Sequence, residues 1–249
     1  MMAGHSKWKN IQARKSVQDV KKGKTFTKVT KELMLAARAG GGDPNTNARL
    51  KSAIAAAKAV NLPKDKIDTA VKKGTGELAG ENFDEVAYEG YGPGGVAILV
   101  EAATDNRNRT VAEIRHIMSK NGGAMGEAGC VGWMFEKKGV LTFAKDKYGE
   151  DQVMEVGLEH GAEEVADEGD VWEVHTALEA FETARQGFEA AGMVFDDAEI
   201  TMVPANSVAV DAETGAKIIR LMEALEDNDD VQKVHSNFDL PDDVLDQMG

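Results

Sequence analysis

Residues 140–203 read VLTFAKDKYGEDQVMEVGLEHGAEEVADEGDVWEVHTALEAFETARQGFEAAGMVFDDAEITMV, and the hydrophobic period changes four times along them. Residues 140–143 alternate as a strand and 149–160 carry a helical stripe. Residues 163–167 and 171–175 are two strands turning across Glu168-Gly169-Asp170, 178–191 a helix and 198–203 a strand. The order β-α-β-β-α-β is that of the ferredoxin-like unit, an antiparallel sheet with both helices on one face.

The flanks of this stretch each lack a partner. Upstream, residues 83–91 and 96–101 are strand-like and meet at Gly92-Pro93-Gly94-Gly95, the composition of a tight turn. Asp105 or Asn106 can cap a following helix at 110–120, which buries Val111, Ile114, Ile117 and Met118 and stops at Asn121-Gly122-Gly123. Residues 125–132 are a glycine-rich connection without a readable conformation. Downstream, an extended piece at 208–210 precedes a helix at 214–225, with Ile218, Ile219, Met222 and Leu225 inside, and a strand at 231–238. The two flanks are therefore predicted to pack together, with 133–203 as an insertion.

The first 80 residues read as helices. Trp8, Ile11, Val17 and Val20 recur loosely at helical spacing. Phe26, Val29, Leu33 and Ala36/Ala37 form a cleaner stripe that Gly40-Gly41-Gly42 ends. Leu50, Ile54 and Ala57 mark a third, alanine-rich helix, and Pro63 opens a short fourth through Ile67, Ala70 and Val71, closed by Gly74. The expected fold class is α+β: a basic helical bundle at 1–80, a middle α+β domain from 81–132 plus 204–249, and an inserted ferredoxin-like acidic domain at 133–203.

Charge divides the chain in the same place. Residues 1–80 hold 17 basic and 6 acidic side chains, net +11; residues 81–249 hold 12 and 37, net −25, within a total of −14. Nine Lys or Arg lie between Lys7 and Lys31 against the single acid Asp19. A cationic end on so acidic a chain points to an anionic partner. The one cysteine, Cys130, excludes an internal disulfide framework. With no apolar run of about 18 residues and a polar, charged amino terminus, a soluble cytoplasmic protein with no membrane partner is expected.

Catalytic patterns are weak. The five histidines are scattered without zinc-ligand spacing, so no metal and no cofactor are expected. Gly23-Lys24-Thr25 matches the end of a phosphate-binding loop, but Gln18 stands where its first glycine belongs. Gly90-Tyr91-Gly92-Pro93-Gly94-Gly95 links two strands instead of opening a helix. The chain is expected not to be an enzyme, with no small-molecule substrate; an enzyme acting on an anion between the domains is the least supported reading. Nucleic acid fits the cations better, since Lys and Arg neutralise phosphates and release counterions. The candidate contacts are His5, Lys7, Trp8, Lys9, Arg14, Lys15, Lys21, Lys22, Lys24 and Lys28, with Arg107 and Arg109 at a helix start where free N–H groups also welcome phosphate. Trp8 and Phe26 could stack on unpaired bases, although an aromatic at helical spacing is usually core.

Several stretches together resemble the motifs of the YebC family, which includes the mitochondrial translational activator of cytochrome c oxidase. They are Gly4-His5-Ser6-Lys7-Trp8, Gly23-Lys24-Thr25-Phe26-Thr27-Lys28, Tyr88-Glu89-Gly90-Tyr91-Gly92-Pro93-Gly94-Gly95 and Thr104-Asp105-Asn106-Arg107-Asn108-Arg109-Thr110. The resemblance implies three domains, the third inserted into the second. It implies a DNA-binding transcriptional regulator or, alternatively, a ribosome-associated, RNA-binding translation factor that relieves stalling on proline-rich stretches. The basic segment would be the nucleic-acid face, whether the partner is DNA or ribosomal RNA. Gln12 and Ala13 make the first helix less basic than in some relatives, and no helix-turn-helix or zinc-finger pattern is present.

Overall fold

The computed structural model describes residues 21–240, with side chains from residue 24 onward, so the expected helix around Trp8 and Val20 lies outside the described residues. The chain is mixed helix and sheet, as its periodicity predicts.

Three helices open the described chain: α1 (Lys21–Gly40), α2 (Ala48–Ala59) and α3 (Lys64–Thr75). Leu33, Leu35, Ala36 and Ala37 of α1 are buried against Leu50, Ala53 and Ala57 of α2 and Ile67 and Ala70 of α3. Phe26 is a partly buried neighbour of this core, which takes it away from base stacking. Asn47 joins two helix ends. Its side-chain oxygen accepts from Leu50 N at the start of α2, and its amide donates to Ala36 O and Gly41 O, both at 2.8 Å, at the end of α1. The expected stop at Gly74 is corrected: α3 continues to Thr75, and Gly76, at φ 83°, supplies the left-handed cap. Gly74 is instead a contact glycine, since a Cβ there would lie 2.4 Å from Met34 O.

The middle sheet has the order β3 (Ala124–Met125), β1 (Asp84–Tyr91), β2 (Ala97–Thr104), β9 (Val231–Ser236), all neighbours antiparallel. The β2–β9 pair, Ile98 opposite Ser236, joins the two flanks into one sheet across the inserted residues. Helices α4 (Arg107–Lys120) and α7 (Ala212–Glu226) cover one face, where Ile98, Val100, Ile114, Met118, Ile218 and Leu221 are wholly or almost wholly buried. Each such side chain contributes about 1.5–3 kcal/mol over its exposed state. The other face of β2 is covered as well. Ala97 and Leu99 pack on Val131 and Phe135, and Ala103 joins the helical core beside Phe83. A strand buried on both faces explains why residues 97–100 read as a continuous apolar run. The strand expected over 231–238 is broken at Asn237, whose side chain accepts from Ala97 N; beyond it β10 (Phe238–Asp239) pairs in parallel with β8 (Val208–Ala209).

The third sheet has the order β5 (Ala162–Asp167), β6 (Val171–Thr176), β4 (Phe135–Ala144), β7 (Asp197–Pro204). Numbered within the unit this is 2-3-1-4, the ferredoxin-like arrangement, with α5 (Glu150–Glu159) and α6 (Phe181–Ala190) supplying Val153 and Phe188 to a core around Phe143. The Phe143 and Phe188 rings lie 4.5 Å apart. β4 starts five residues earlier than its apolar residues suggest. Glu136, Lys137 and Lys138 are held in register by pairing with Val203, Met202 and Thr201, a long-range constraint that polar composition hides. Among the described residues no helix is long and apolar enough to cross a membrane.

Candidate nucleic-acid interface

Helix α1 carries Lys24, Lys28 and Lys31 at i, i+4 and i+7, so all three share one face. That face meets the end of α7. Lys28 Nζ donates to Glu226 O at 2.6 Å, Lys24 Nζ to Asp227 O at 2.9 Å and Lys31 Nζ to Asp229 O at 2.9 Å. The last carbonyls of a helix have no intrahelical donor and hold its partial negative charge. α7 has no basic residue in its own last turn, so the lysines of α1 cap it from another element. Burial draws the Lys28 ammonium below its ordinary pKa, with Glu226 and Asp227 acting against the shift.

Asp230 lies at the centre of this junction. Its Oδ1 accepts from Lys31 Nζ at 2.9 Å; its Oδ2 accepts from Arg109 Nη2 at 2.6 Å, Thr110 Oγ1 at 2.7 Å and Thr104 Oγ1 at 3.2 Å. Burial on its own would raise the carboxyl, but the donors Arg109, Lys31 and Thr110 outweigh it and hold the pKa down to about 2. Arg109 also pairs with Asp105, and its guanidinium is shifted upward by Asp230 first and Asp105 second. Arg107 pairs with Asp84 at 2.8 Å, while Asn106 caps α4 by accepting from Arg109 N.

The remaining cations of the bundle fall into two groups. Arg38 donates to Phe83 O, Arg49 bridges Glu32 and Glu85, and Lys51 reaches Glu182 of α6 at 2.7 Å. Lys58, Lys64, Lys66, Lys72 and Lys73 are exposed, and their side chains make no hydrogen bond or ion pair among the described residues. Four of these five lie on α3, whose inner positions are Ile67, Ala70 and Gly74, so its lysines necessarily occupy the outer surface.

The twelve residues expected from the sequence therefore separate. Lys24, Lys28, Arg107 and Arg109 are brought to the bundle–body junction or its edge, and each is engaged within the chain. Lys21 and Lys22 lie in α1 without described side chains, and His5, Lys7, Trp8, Lys9, Arg14 and Lys15 lie outside the described residues. The open lysines of α2 and α3 were missed. Their signal was present in the spacing around Ile67, Ala70 and Gly74, but they are diluted by Asp65 and Asp68 and do not stand out by density.

Residues 6–77 match the TACO1/YebC protein N-terminal domain, and residues 83–238 match the TACO1/YebC second and third domain. A probable transcriptional regulatory protein of Solidesulfovibrio magneticus is 75% identical over 98% of this chain and 100% of its own length. Another of that description, from Maridesulfovibrio salexigens, is 61% identical over 99% of each chain. The crystal structure of a conserved hypothetical protein from Aquifex aeolicus is similar with a TM-score of 0.81 and 44% identity, covering 90% of this chain and 92% of that one.

Proposed function

The chain belongs to the TACO1/YebC family, and from that premise we propose a non-enzymatic regulator of gene expression that binds nucleic acid through its N-terminal bundle. The relatives described as probable transcriptional regulatory proteins support regulation, with DNA as the first target. The observation that carries the reading is the sorting of the bundle's cations. Those nearest the acidic body are tied to it, and five lysines on α2 and α3 remain open to an external anion. With the basic run Lys7 to Lys22 they form the proposed face, while Lys24, Lys28, Arg107 and Arg109 set its orientation. The proposed division of labour assigns the main phosphate binding to residues 1–80 and leaves 81–132 plus 204–249 and the inserted 133–203 as a body whose net negative charge repels phosphates over most of its surface.

A second reading is favoured by one detail. Residues 64–75 contain Lys, Asp and Thr but no Arg, Asn or Gln, the side chains that most often read base edges. Lysines favour the phosphate backbone over base edges, and that suits the structured ribosomal RNA of a cytoplasmic translation factor, read largely by shape, better than a sequence-selected DNA site.

The test is binding of the full chain to random duplex DNA and to ribosomes at rising salt, with the variant K64E/K66E/K72E/K73E alongside. We expect the variant to keep its melting temperature and lose binding. In neutral Gln versions the slope of log affinity against log salt should become shallower by about 0.9 per lost duplex phosphate contact. Unchanged binding in the charge-reversed variant sinks the assignment of the face. Ribosome co-sedimentation that persists above the salt at which DNA dissociates selects the translation reading.

A further inference from the structure

Beyond residue 80 the chain has 12 cations, and eight of them form ion pairs with the body's own carboxylates. Among the described residues only Arg115, Lys120, Lys137 and Arg220 do not. Two of these four, Lys120 and Arg220, face one open concavity of about 450 Å³ together with Lys217, walled by Pro93, Asn121 and Gly122. Lys120 has a local reason for its place, since the last turn of a helix favours a cation. Arg220 lies in mid-helix and has none. Lys217 pairs with Glu213 four residues away, but both are exposed, and such pairs yield easily to a stronger anion.

An independent feature lies on the other face of the same strand end. Tyr88 packs into the core under α4 and α7, and a Cβ on Gly90 would meet Met118 there, so Glu89 and Tyr91 point to the opposite side. On that side Tyr91 Oη donates to Cys130 O at 3.1 Å and Trp133 Nε1 donates to the same oxygen at 3.2 Å. Both aromatics are open to solvent, Trp133 at 70%. Their support is stiff, because the Glu89 carboxylate accepts from Gly129 N, Val131 N and Gly132 N at 2.8, 2.8 and 2.6 Å. A tryptophan held by its N–H on a fixed loop loses little freedom when a planar group covers it.

Cations on one side of a turn and a fixed, exposed aromatic on the other are the parts that hold single strands, where bases stack and the backbone runs along positive charge. We propose that the hairpin end from Tyr91 to Gly95 is a second nucleic-acid contact that takes an unpaired strand, with Trp133 stacked on a base and Lys120, Lys217 and Arg220 on the adjoining phosphates. This rests on the reading of the chain as a nucleic-acid binder and adds to it the form of the ligand. The site lies at the far end of α4 from the bundle junction, about 20 Å along a helix of this length, so it adds to the bundle's contacts without replacing them. A duplex hides its base faces and gains nothing from Trp133.

The test uses the full chain with an unstructured single-stranded oligonucleotide and with a duplex of matched length. Trp133→Ala should weaken single-strand binding by about 5- to 150-fold, the range of one base–aromatic stack, and leave duplex binding unchanged. Trp133→Phe should retain most of the affinity. K120Q/R220Q should make the single-strand salt slope shallower by about 0.7 per lost contact, while Lys137→Gln, outside the concavity, should not. Single-strand binding unaffected by these variants but abolished by K64E/K66E/K72E/K73E overturns the second contact and leaves the bundle reading intact. A wild-type chain that binds neither strand form overturns both. Loss of a self-association in Trp133→Ala, with single-strand affinity unchanged, overturns it in favour of an interface between copies of the chain.

Discussion

Asp230 receives four side-chain donors from three different elements, and through Lys31 it is the buried tie between the bundle and the sheet. Removing one member of such a set leaves a buried ammonium without its counter-charge. Asp230→Ala should therefore cost about 3 kcal/mol in urea unfolding at neutral pH. The acid limb follows from the sign of the shift. A carboxyl held at about 2 against an ordinary 3.8 contributes stability above its ordinary value and loses it as pH falls from about 4 through 2. Unfolding midpoints measured across that window should fall less in Asp230→Asn than in the wild-type chain. Sequence could not single out this residue from the run Asp227-Asn228-Asp229-Asp230, because what distinguishes it is the arrival of Lys31 and Arg109 from positions 199 and 121 residues away.

At the scale of elements, local chemistry was legible wherever a helix or strand satisfied itself. The cap Asn106 was readable from its place before an apolar stripe, with Asn47 and Asp211 forming caps of the same kind in the structure, and the β-α-β-β-α-β order was readable from period alone. It failed where another element intervened. Gly74 reads as a stop but is the point at which α3 touches the α1 backbone. Gly74→Ala should destabilise the protein by about 1–3 kcal/mol, since the clash with Met34 O outweighs the gain in helix propensity. Gly76→Ala should also destabilise, through its positive φ, without affecting packing. Comparing the denaturant midpoints of the two variants with the burial of Met34 separates the two roles. Lys24 and Lys28 show the same dependence on another element: as a basic run they indicate phosphate, and in the fold they complete the carboxyl end of α7.

For the whole molecule, a positive bundle and a negative body are joined by ion pairs of two kinds. Lys24–Asp227, Arg49–Glu85 and Lys51–Glu182 are partly exposed, and salt of about 1 M, with a screening length of about 3 Å, weakens them; Lys31–Asp230 is buried and persists. Small-angle scattering should show an unchanged radius of gyration for the wild-type chain between low and high salt, and an increase at high salt only in Asp230→Ala. Amino-acid order by itself determined the three runs of elements, the ferredoxin-like unit and the charge division near residue 80, because periodicity, turn residues and net charge are additive along a chain, and the family was legible in four short motifs. Only the tertiary structure decided which lysines are open, which glycine is a contact and which aromatic is left in water. Those properties depend on what lies across a few ångströms of space, and neighbours in space are set by pairings between residues far apart in sequence.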